Sequence, residues 1–371
     1  MNILVTGGAG FIGSHLVDAL VAQGHRVRIL DSLVEQVHGA SAPPHLNHGA
    51  EFIQGDVCDA EAVAAALNDI DVVYHQAAEV GVGQSMYEIV RYVKANDLGT
   101  AVLLEEMIKR PSQFKKLIVA SSMSIYGEGA YRCNSCGTDS YPQLRSDDQL
   151  AAHDWEFKCE TCGALLATVG TPEEKTLFPT SVYAVSKQDQ EQYCLAVGRA
   201  YKIPTVAFRY FNVYGTRQAL SNPYTGVCAI FSSRLLNNQA PTIFEDGEQS
   251  RDFVHVSDIV QANLLALESD GGNYQAINIG TGRATSVKQI AELLAKGLGK
   301  NIDPEIVGKY REGDIRHCVA DISKARKLLS YEPKVTLEAG LAELLDWLGE
   351  QDAEDRVESA TAELAERSLV K

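Results

Sequence analysis

The sequence has little positive charge and no long apolar run. Its 371 residues carry 33 Lys and Arg against 49 Asp and Glu, so the formal net charge is −16. That charge repels nucleic acid and anionic lipid from most of the surface, and a bound anion must be drawn by local groups. No stretch reaches the roughly 18 consecutive apolar residues that a membrane helix needs. We therefore expect neither a nucleic-acid-binding protein nor a membrane protein.

The first residues also lack the basic and apolar regions of a secretion signal. This predicts a cytoplasmic protein whose thiols stay reduced. Hydrophobic residues make up 45% of the chain, with 11 Pro and 30 Gly. Collagen-like and disordered classes are excluded by that composition, which is typical of a globular protein.

Short apolar runs alternate with helical patterns through the first half of the chain. This alternation is typical of βαβ units, and it predicts an α/β fold with a doubly wound parallel sheet, the Rossmann architecture. The predicted strands are 3–5, 27–30, 51–53, 72–75, 116–119 and 205–208. The predicted helices are 13–24, 60–67, 93–109, 182–201 and 287–298.

The alternation breaks at 131–175, where polar residues, turns and four paired cysteines replace a short connection. We predict a dinucleotide-binding domain over 1–212, interrupted by an insertion at 131–175. A smaller α/β lobe, mainly over 213–345, would bind the substrate. The acidic residues of 346–371 predict a tail formed by a solvated helix that frays into disorder.

A glycine-rich turn follows the first strand, with Gly7, Gly10 and Gly13 in the spacing G-x-x-G-x-x-G. Such glycines let the backbone approach a pyrophosphate, which rests on the N–H groups that open the next helix, here at Phe11 and Ile12. This pattern predicts a dinucleotide site.

The second strand ends in Asp31, whose carboxylate would accept hydrogen bonds from a free ribose 2′-hydroxyl and repel a 2′-phosphate. The predicted cofactor is therefore NAD and not NADP. Asp56 and Val57 follow the third strand. Asp56 either binds the adenine edge or only forms a turn.

Tyr183 and Lys187 stand four residues apart, on one face of a predicted helix. A tyrosine has a pKa of about 10, so it acts as a base near neutral pH only beside positive charge, which Lys187 supplies. Pairs at this spacing are usually structural, but three further features favour a catalytic role. They are Ser122 at the end of a strand, the segment Gln76, Ala77 and Ala78 at the end of the preceding strand, and Asn96 on the helix between them.

With these motifs the chain resembles the extended short-chain dehydrogenases/reductases of the nucleotide-sugar epimerase/dehydratase family, from residue 1 to about 345. The resemblance implies that Ser122 and Lys187 assist Tyr183 as the base. It implies that Asn212, Arg251 and Arg311 bind the phosphates of a nucleotide-diphosphate sugar. Other residues in the predicted substrate set are Ser124 and Arg217, with Arg316 as a weaker candidate for which surface pairing is the alternative, and with Glu79, Val82, Gln84 and Ser85 lining the sugar pocket.

The residues after Ser122 discriminate among the reactions of that family. Dehydratases carry Asp-Glu there and decarboxylases keep the Glu, whereas this chain has Met123 and Ser124. Neither side chain is a general acid or base near neutrality. The expected reaction is therefore C4 epimerisation, through transient oxidation to a 4-keto sugar and hydride return to the opposite face.

The expected substrate is a dTDP- or UDP-linked sugar, and the expected assembly is a homodimer. dTDP-L-rhamnose or a related 6-deoxyhexose is one expected substrate. Alternatives are UDP-glucose or UDP-glucuronate as the epimerised sugar, or an oxidoreductase or decarboxylase reaction of the same family.

Two C-x-x-C-G motifs lie in the insertion, with Cys133 and Cys136 in the first and Cys159 and Cys162 in the second. Four thiolates at this spacing predict a closed, structural zinc site. Two disulfides, a redox pair and a nucleic-acid-binding ribbon are the alternatives. The insertion lies between the strand of Ser122 and the helix of Tyr183, so we expect a lid or interface at the sugar pocket. It resembles that of the dTDP-L-rhamnose 4-epimerase subgroup.

Overall fold

The structure is a computed structural model that describes residues 1–39, 43–351 and 353–371. Its strands are β1 Asn2–Thr6, β2 Arg26–Asp31, β3 Glu51–Gln54, β4 Val72–His75, β5 Lys116–Ser122, β6 Ala130–Cys133, β7 Asp139–Ser140, β8 Leu166–Thr171, β9 Thr205–Tyr210, β10 Asn212–Tyr214, β11 Thr242–Ile243, β12 Ser250–Arg251, β13 Phe253–His255, β14 Gln275–Ile279, β15 Thr285–Ser286, β16 Glu305–Ile306 and β17 His317–Ala320. Its α-helices are α1 Phe11–Ala22, α2 Glu35–His38, α3 Ala60–Ala66, α4 Val82–Ser85, α5 Ile89–Tyr92, α6 Gly99–Ile108, α7 Asp147–Ala151, α8 Val182–Tyr201, α9 Val227–Leu236, α10 Val256–Glu268, α11 Val287–Gly297, α12 Ser323–Leu329, α13 Leu337–Leu348 and α14 Val357–Glu366. A π-helical turn spans Val93–Leu98 and 3₁₀ turns span Pro111–Gln113 and Met123–Tyr126.

Seven parallel strands form the main sheet, in the order β14-β9-β5-β4-β1-β2-β3. Every residue of β4 and of β9 is buried, as expected for a parallel sheet covered on both faces. The predicted doubly wound fold is confirmed, and all six predicted strands are present. Sequence reasoning missed β14, because Gln275 and Asn278 interrupt its apolar pattern. The amide of Asn278 is buried and accepts a hydrogen bond from Tyr126 over 2.7 Å.

Helices pack on both faces of this sheet. The cluster on one face includes Leu16 and Leu20 of α1 and Ile259 of α10, and the cluster on the other includes Leu103 of α6 and Leu195 of α8. Within the described residues, no helix is long and apolar enough to cross a membrane. The two-sided burial leaves the carboxyl ends of the strands as the edge at which a ligand can bind.

A small lobe, made of α9, α11, α13 and a second sheet, packs beside the main sheet. The second sheet has the order β15-β12-β17-β8-β6-β7, and its last three strands come from the predicted insertion at 131–175. Strand β8 pairs with β17 in parallel, with Val319 opposite Gly170. The insertion thus extends the sheet of the small lobe. The division of the chain into domains stays a prediction.

The acidic tail differs from the sequence-based expectation of a solvated, fraying helix. Helix α14 buries Ala360 and Leu364, which lie one turn apart on one face. The carboxylate of Glu363 accepts hydrogen bonds from the hydroxyls of Tyr87 and Tyr224, each over 3.0 Å. The prediction from net charge did not take account of the apolar face that Ala360 and Leu364 form.

Candidate active site

The glycine turn is built to bring backbone close to a ligand. Gly7 has φ +68°, and a Cβ there would lie 2.7 Å from the amide nitrogen of Ala77. A Cβ on Gly13 would collide with the carbonyl oxygen of Gly7. Gly10 is the N-cap of α1, which begins at Phe11. Since glycine has no side chain to cap the helix, the first N–H groups of α1 remain for an anion.

The carboxylate of Asp31 lies against the same turn. Its Oδ2 accepts a hydrogen bond from the Ala9 amide over 3.0 Å, and its Oδ1 accepts one from Leu33 over 2.9 Å. Asp56 accepts a hydrogen bond from the Cys58 amide over 2.9 Å, which is the turn-forming role that the sequence left open. The adenine-binding role of Asp56 stays a prediction, as does that of its buried neighbour Val57.

One strand end and one helical turn supply the candidate cofactor contacts beyond the glycine turn. Gln76, Ala77 and Ala78 directly follow β4, and the Ala77 amide donates a hydrogen bond to the Thr6 hydroxyl over 3.3 Å. Asn96 lies in the π-helical turn. Its side-chain oxygen accepts a hydrogen bond from the amide of Glu79 over 2.8 Å, which fixes the loop that follows Ala78.

Ser122 and Tyr183 meet at the carboxyl edge of the main sheet. Ser122 ends β5, and the Ser181 hydroxyl caps α8, so Tyr183 lies in the first turn of that helix. Burial raises the pKa of Tyr183, and the Ser122 hydroxyl lowers that pKa in opposition. The backbone amide of Tyr183 donates a hydrogen bond to the Ser85 hydroxyl over 3.0 Å. The structure therefore places the predicted base and Ser122 at the same edge of the sheet.

Lys187 is buried one helical turn beyond Tyr183. Its Nζ donates a hydrogen bond to Gln190 over 2.8 Å, and burial lowers its pKa to about 7. The side chain of Gln190 in turn donates a hydrogen bond to Thr100 over 2.9 Å, next to His75. Burial, assisted by the charge of Lys187, lowers the pKa of His75 to about 3, so this histidine is neutral near pH 7.

Two predicted substrate groups lie at the same edge of the sheet. The Ser124 hydroxyl donates a hydrogen bond to the Ser122 hydroxyl over 3.0 Å. Asn212 begins β10, and its buried side-chain oxygen has no hydrogen-bond partner among the residues that the structure describes. A buried acceptor without a partner is costly, and a ligand donor would satisfy it.

The two predicted diphosphate arginines are both associated with the segment 311–316. Arg311 is its first residue, and Arg251 of β12 contacts its last two residues. Arg251 donates hydrogen bonds to the carbonyl oxygens of Ile315 and Arg316 over 2.7 and 2.9 Å. Arg311 donates to the Asp314 carboxylate over 2.7 Å, and its guanidinium lies 5.0 Å from the centre of the Phe244 ring.

Arg217 is placed differently from these two arginines. Its guanidinium pairs with Asp18 of α1 over 2.8 Å. The structure thus sets Arg217 against the first helix of the main sheet, and its role in substrate binding stays a prediction.

The four paired cysteines converge. Their sulfurs all lie within 4.8 Å of one another, with 3.5 Å between Cys133 and Cys162 and 3.6 Å between Cys136 and Cys159. In a tetrahedral site with Zn–S bonds of about 2.3 Å, sulfurs lie about 3.8 Å apart. The donor set therefore fits zinc. The remaining cysteines are elsewhere: Cys194, Cys228 and Cys318 are buried, and Cys58 is only partly buried.

Arg316, the weaker substrate candidate, forms buried ion pairs in place of the surface pair that was its alternative. Its side chain is 1% exposed and donates to Glu156, Glu245 and Asp246. Arg145 forms a second buried pair with Glu245 over 2.9 and 2.7 Å. The pairs of Arg316 join residues 70 to 160 positions apart, so no spacing in the sequence predicts them.

Comparisons with known proteins agree with this geometry. The model of the NAD dependent epimerase/dehydratase family matches residues 3–146 and 159–280. A dTDP-L-rhamnose 4-epimerase of Burkholderia thailandensis is 36% identical over 353 residues, which cover 94% of this chain and 95% of that protein.

Two solved structures are similar over nearly the whole chain. The UDP-glucose 4-epimerase of Thermotoga maritima, solved with UDP-glucose, has a TM-score of 0.76 and 35% identity, covering 94% of this chain and 99% of its own. The UDP-glucuronic acid 4-epimerase of Bacillus cereus, solved with UDP-glucuronic acid and NAD, has a TM-score of 0.76 and 31% identity, with the same coverage. The chain therefore belongs to the NAD-dependent epimerase/dehydratase family.

Proposed function

We propose that the protein is an NAD-dependent nucleotide-sugar 4-epimerase that acts on dTDP-L-rhamnose or a related 6-deoxyhexose. The arrangement of Ser122 at the end of β5 with Tyr183 and the buried Lys187 on α8, at the carboxyl edge of the sheet, carries the proposal. The similarity to a dTDP-L-rhamnose 4-epimerase over 94% of the chain supports the choice of substrate.

The cofactor site would be formed by the glycine turn, Asp31 and the groups around Asn96. The crowding that a Cβ would cause at Gly7 and Gly13 supports a site shaped for close approach of backbone to a pyrophosphate. Both carboxylate oxygens of Asp31 are fixed by backbone amides, one from Ala9 in this turn and one from Leu33 just beyond β2, which suits a ribose diol. When bound, NAD accepts a hydride from C4 of the sugar and returns it to the other face.

Tyr183 would remove the proton of the 4-hydroxyl and later return it. The Ser122 hydroxyl, which opposes the effect of burial on the pKa of Tyr183, would stabilise the phenolate and orient the sugar oxygen. Lys187 would favour the same phenolate through its charge when protonated. Burial places the pKa of Lys187 at about 7, so its protonation responds to whatever anion the site admits.

Arg251, Arg311 and the side-chain NH2 of Asn212 would hold the substrate diphosphate. The unpartnered oxygen of Asn212 would accept a hydrogen bond from a donor elsewhere on the substrate, and Ser124 and Arg217 would be further substrate contacts. Arginines bind phosphate oxygens strongly, and these local cations offset a net charge of −16. The 4-keto sugar must expose both faces in turn. Binding through the diphosphate leaves the sugar free to rotate about that anchor.

The four cysteines would hold a structural zinc ion, which takes no part in the reaction because four thiolates leave no open position. A cytoplasmic location, where thiols stay reduced, suits such a site. Zinc would stabilise the fold of the insertion, since two of the cysteines belong to the small apolar cluster of Tyr131, Phe157 and Leu166.

A homodimer would cover an apolar surface on α5, the π-helical turn and α8. Val90, Leu98, Val185 and Tyr193 are 80, 48, 44 and 41% exposed there. Light scattering of the native protein should give twice the mass of the chain, and Val90→Glu should give a monomer. A monomeric native protein would contradict this part of the proposal.

The experiment that tests the main proposal is an NMR and mass-spectrometric assay with dTDP-L-rhamnose, UDP-glucose and UDP-glucuronate. We expect bound NAD in the purified protein, formation of the 4-epimer from dTDP-L-rhamnose, and no accumulation of NADH. Faster epimerisation of a UDP-sugar would show that this sugar, and not dTDP-L-rhamnose, is the substrate. Stoichiometric NADH with an oxidised sugar would show that the reaction is an oxidation and not an epimerisation.

A further inference from the structure

Arg145, in the insertion, lies between two segments of the small lobe. Its guanidinium forms a two-pronged pair with Glu245, and the two side chains are 1 and 3% exposed. One of its nitrogens also contacts the carbonyl oxygen of Asp314 over 3.3 Å. Arg145 therefore ties the segment of Glu245 to the segment of Asp314.

These two segments hold Arg311 on both sides. Phe244 directly precedes Glu245, and its ring lies 5.0 Å from the guanidinium of Arg311. The Asp314 carboxylate accepts a hydrogen bond from the same guanidinium over 2.7 Å. The amide of Glu245 also donates to the carbonyl oxygen of Lys309 over 2.7 Å, so the segments run side by side.

The residue Glu128, which flanks the insertion, contacts the second segment just beyond Asp314. The carboxylate of Glu128, which lies just before β6, accepts hydrogen bonds from the amides of Arg316 and His317, each over 2.7 Å. The carbonyl oxygens to which Arg251 donates belong to this same stretch. Both arginines proposed to bind the diphosphate are therefore placed by a segment that the insertion and its flanking residue fix.

We propose that Arg145 is a positioning residue through which the insertion sets Arg311, and with it the affinity for the nucleotide diphosphate. This rests on the proposed role of Arg311 in substrate binding. Arg145 touches neither the sugar-reacting groups nor the glycine turn in its described contacts, so its effect should fall on binding and spare the chemical step.

The test replaces Arg145 by methionine, which keeps most of the side-chain volume and removes the fork. We expect the Kd of UDP and of dTDP, measured by titration calorimetry, and the KM of the sugar substrate to rise about tenfold. We expect kcat to stay within about twofold and NAD content to be unchanged. Arg145→Lys keeps the charge without the two-pronged geometry and should give an intermediate Kd.

Arg132→Ala is the matched control, because Arg132 lies in the same insertion and forms an exposed pair with Asp139. It should leave Kd, KM and kcat at native values. If Arg145→Met does not fold, the soluble Arg145→Lys variant decides the matter by the same titration.

Arg311→Ala distinguishes the diphosphate-binding role of Arg311 from the positioning role of Arg145. If Arg311→Ala weakens nucleotide binding and the Arg145 variants bind UDP and dTDP like the native protein, the positioning role is wrong and the proposed function stands. If Arg311→Ala leaves nucleotide affinity unchanged, the diphosphate role of Arg311 is wrong and the positioning role falls with it. An equal loss of kcat and NAD content in Arg145→Met would also overturn the proposal, since it would indicate general disruption.

Discussion

The carboxyl edge of the main sheet and the insertion-bearing small lobe hold their candidate functional groups in different ways. At the sheet edge, Tyr183 and Lys187 are one helical turn apart, and the glycines fall within seven residues. In the small lobe, Arg316 contacts Glu156 and Glu245, which are 160 and 71 residues away. The comparison teaches that local spacing sets the glycine turn and the Tyr183–Lys187 pair, whereas the long-range ion pairs of Arg145 and Arg316 hold the segments against which Arg251 and Arg311 lie.

Tyr183→Phe gives the largest effect that this comparison predicts. Loss of a general acid–base group lowers kcat by about 10²- to 10⁴-fold. Because the change lies at the sheet edge, the Kd of UDP and dTDP should stay native. Steady-state kinetics with titration calorimetry checks both. Nucleotide affinity that falls together with kcat would break the separation of the two regions.

Gly13→Ala should act on the cofactor alone. A Cβ there collides with the Gly7 carbonyl oxygen, and overpacking of this kind lowers the free energy of unfolding by about 1–3 kcal/mol unless the turn shifts. We expect the purified variant to lose most of its NAD, as measured by cofactor release and absorbance. Gly349→Ala, where the nearest neighbour of a Cβ is 3.4 Å away, is the control and should retain NAD.

Cys133→Ser tests the other region. Loss of one thiolate should lower zinc, measured by elemental analysis, from one equivalent to below half, and should loosen the insertion that carries Arg145. The Kd of UDP and dTDP should then rise about tenfold, as in Arg145→Met, with NAD content unchanged. Cys58→Ser, outside the cluster, should change neither. Full zinc content in Cys133→Ser would contradict the site.

Acidification should produce the smallest effect, and in a different pH window for each region. Burial lowers the pKa of His75 to about 3, so the unfolded chain takes up this proton first and stability falls from about pH 6.5 downward. The hydrogen bond with His317 and the pair with Arg316 lower the pKa of Glu156 to about 2, against burial, so its stabilisation is present above pH 4.5 and is lost between pH 4.5 and 2.

Urea unfolding of variants between pH 3 and 7 checks these windows. His75→Gln should flatten the loss of stability from pH 6.5 down to about pH 3, and Glu156→Gln should flatten it only below pH 4.5. Flattening above pH 4.5 in Glu156→Gln, where this carboxyl does not titrate, would contradict the assignment of the upper window to His75.

The sequence was sufficient for six of the seven strands of the main sheet, because buried parallel strands are continuous apolar runs. It failed for β14, whose polar Asn278 is buried with hydrogen bonds to remote residues, among them Tyr126, 152 residues away. It also failed for the tail, because the prediction rested on net charge and did not use the spacing of Ala360 and Leu364, which places both on one helix face.

The candidate site divides in the same way. Spacing alone predicted the glycine turn, the Tyr183–Lys187 pair and the four cysteines, which the structure brings within 4.8 Å of one another. No spacing rule in the sequence predicts the ion pair of Arg145, because its partner Glu245 is 100 residues away and the pair is buried only in the folded protein.

By itself the sequence determined the fold class, and it predicted the Tyr183–Lys187 pair and the cysteine cluster, because residues a few positions apart are held together by the covalent chain and one turn of regular structure. Only the tertiary structure decided where the insertion attaches and which arginines are neutralised by buried carboxylates. Those outcomes depend on distances between remote segments, and only packing sets these distances.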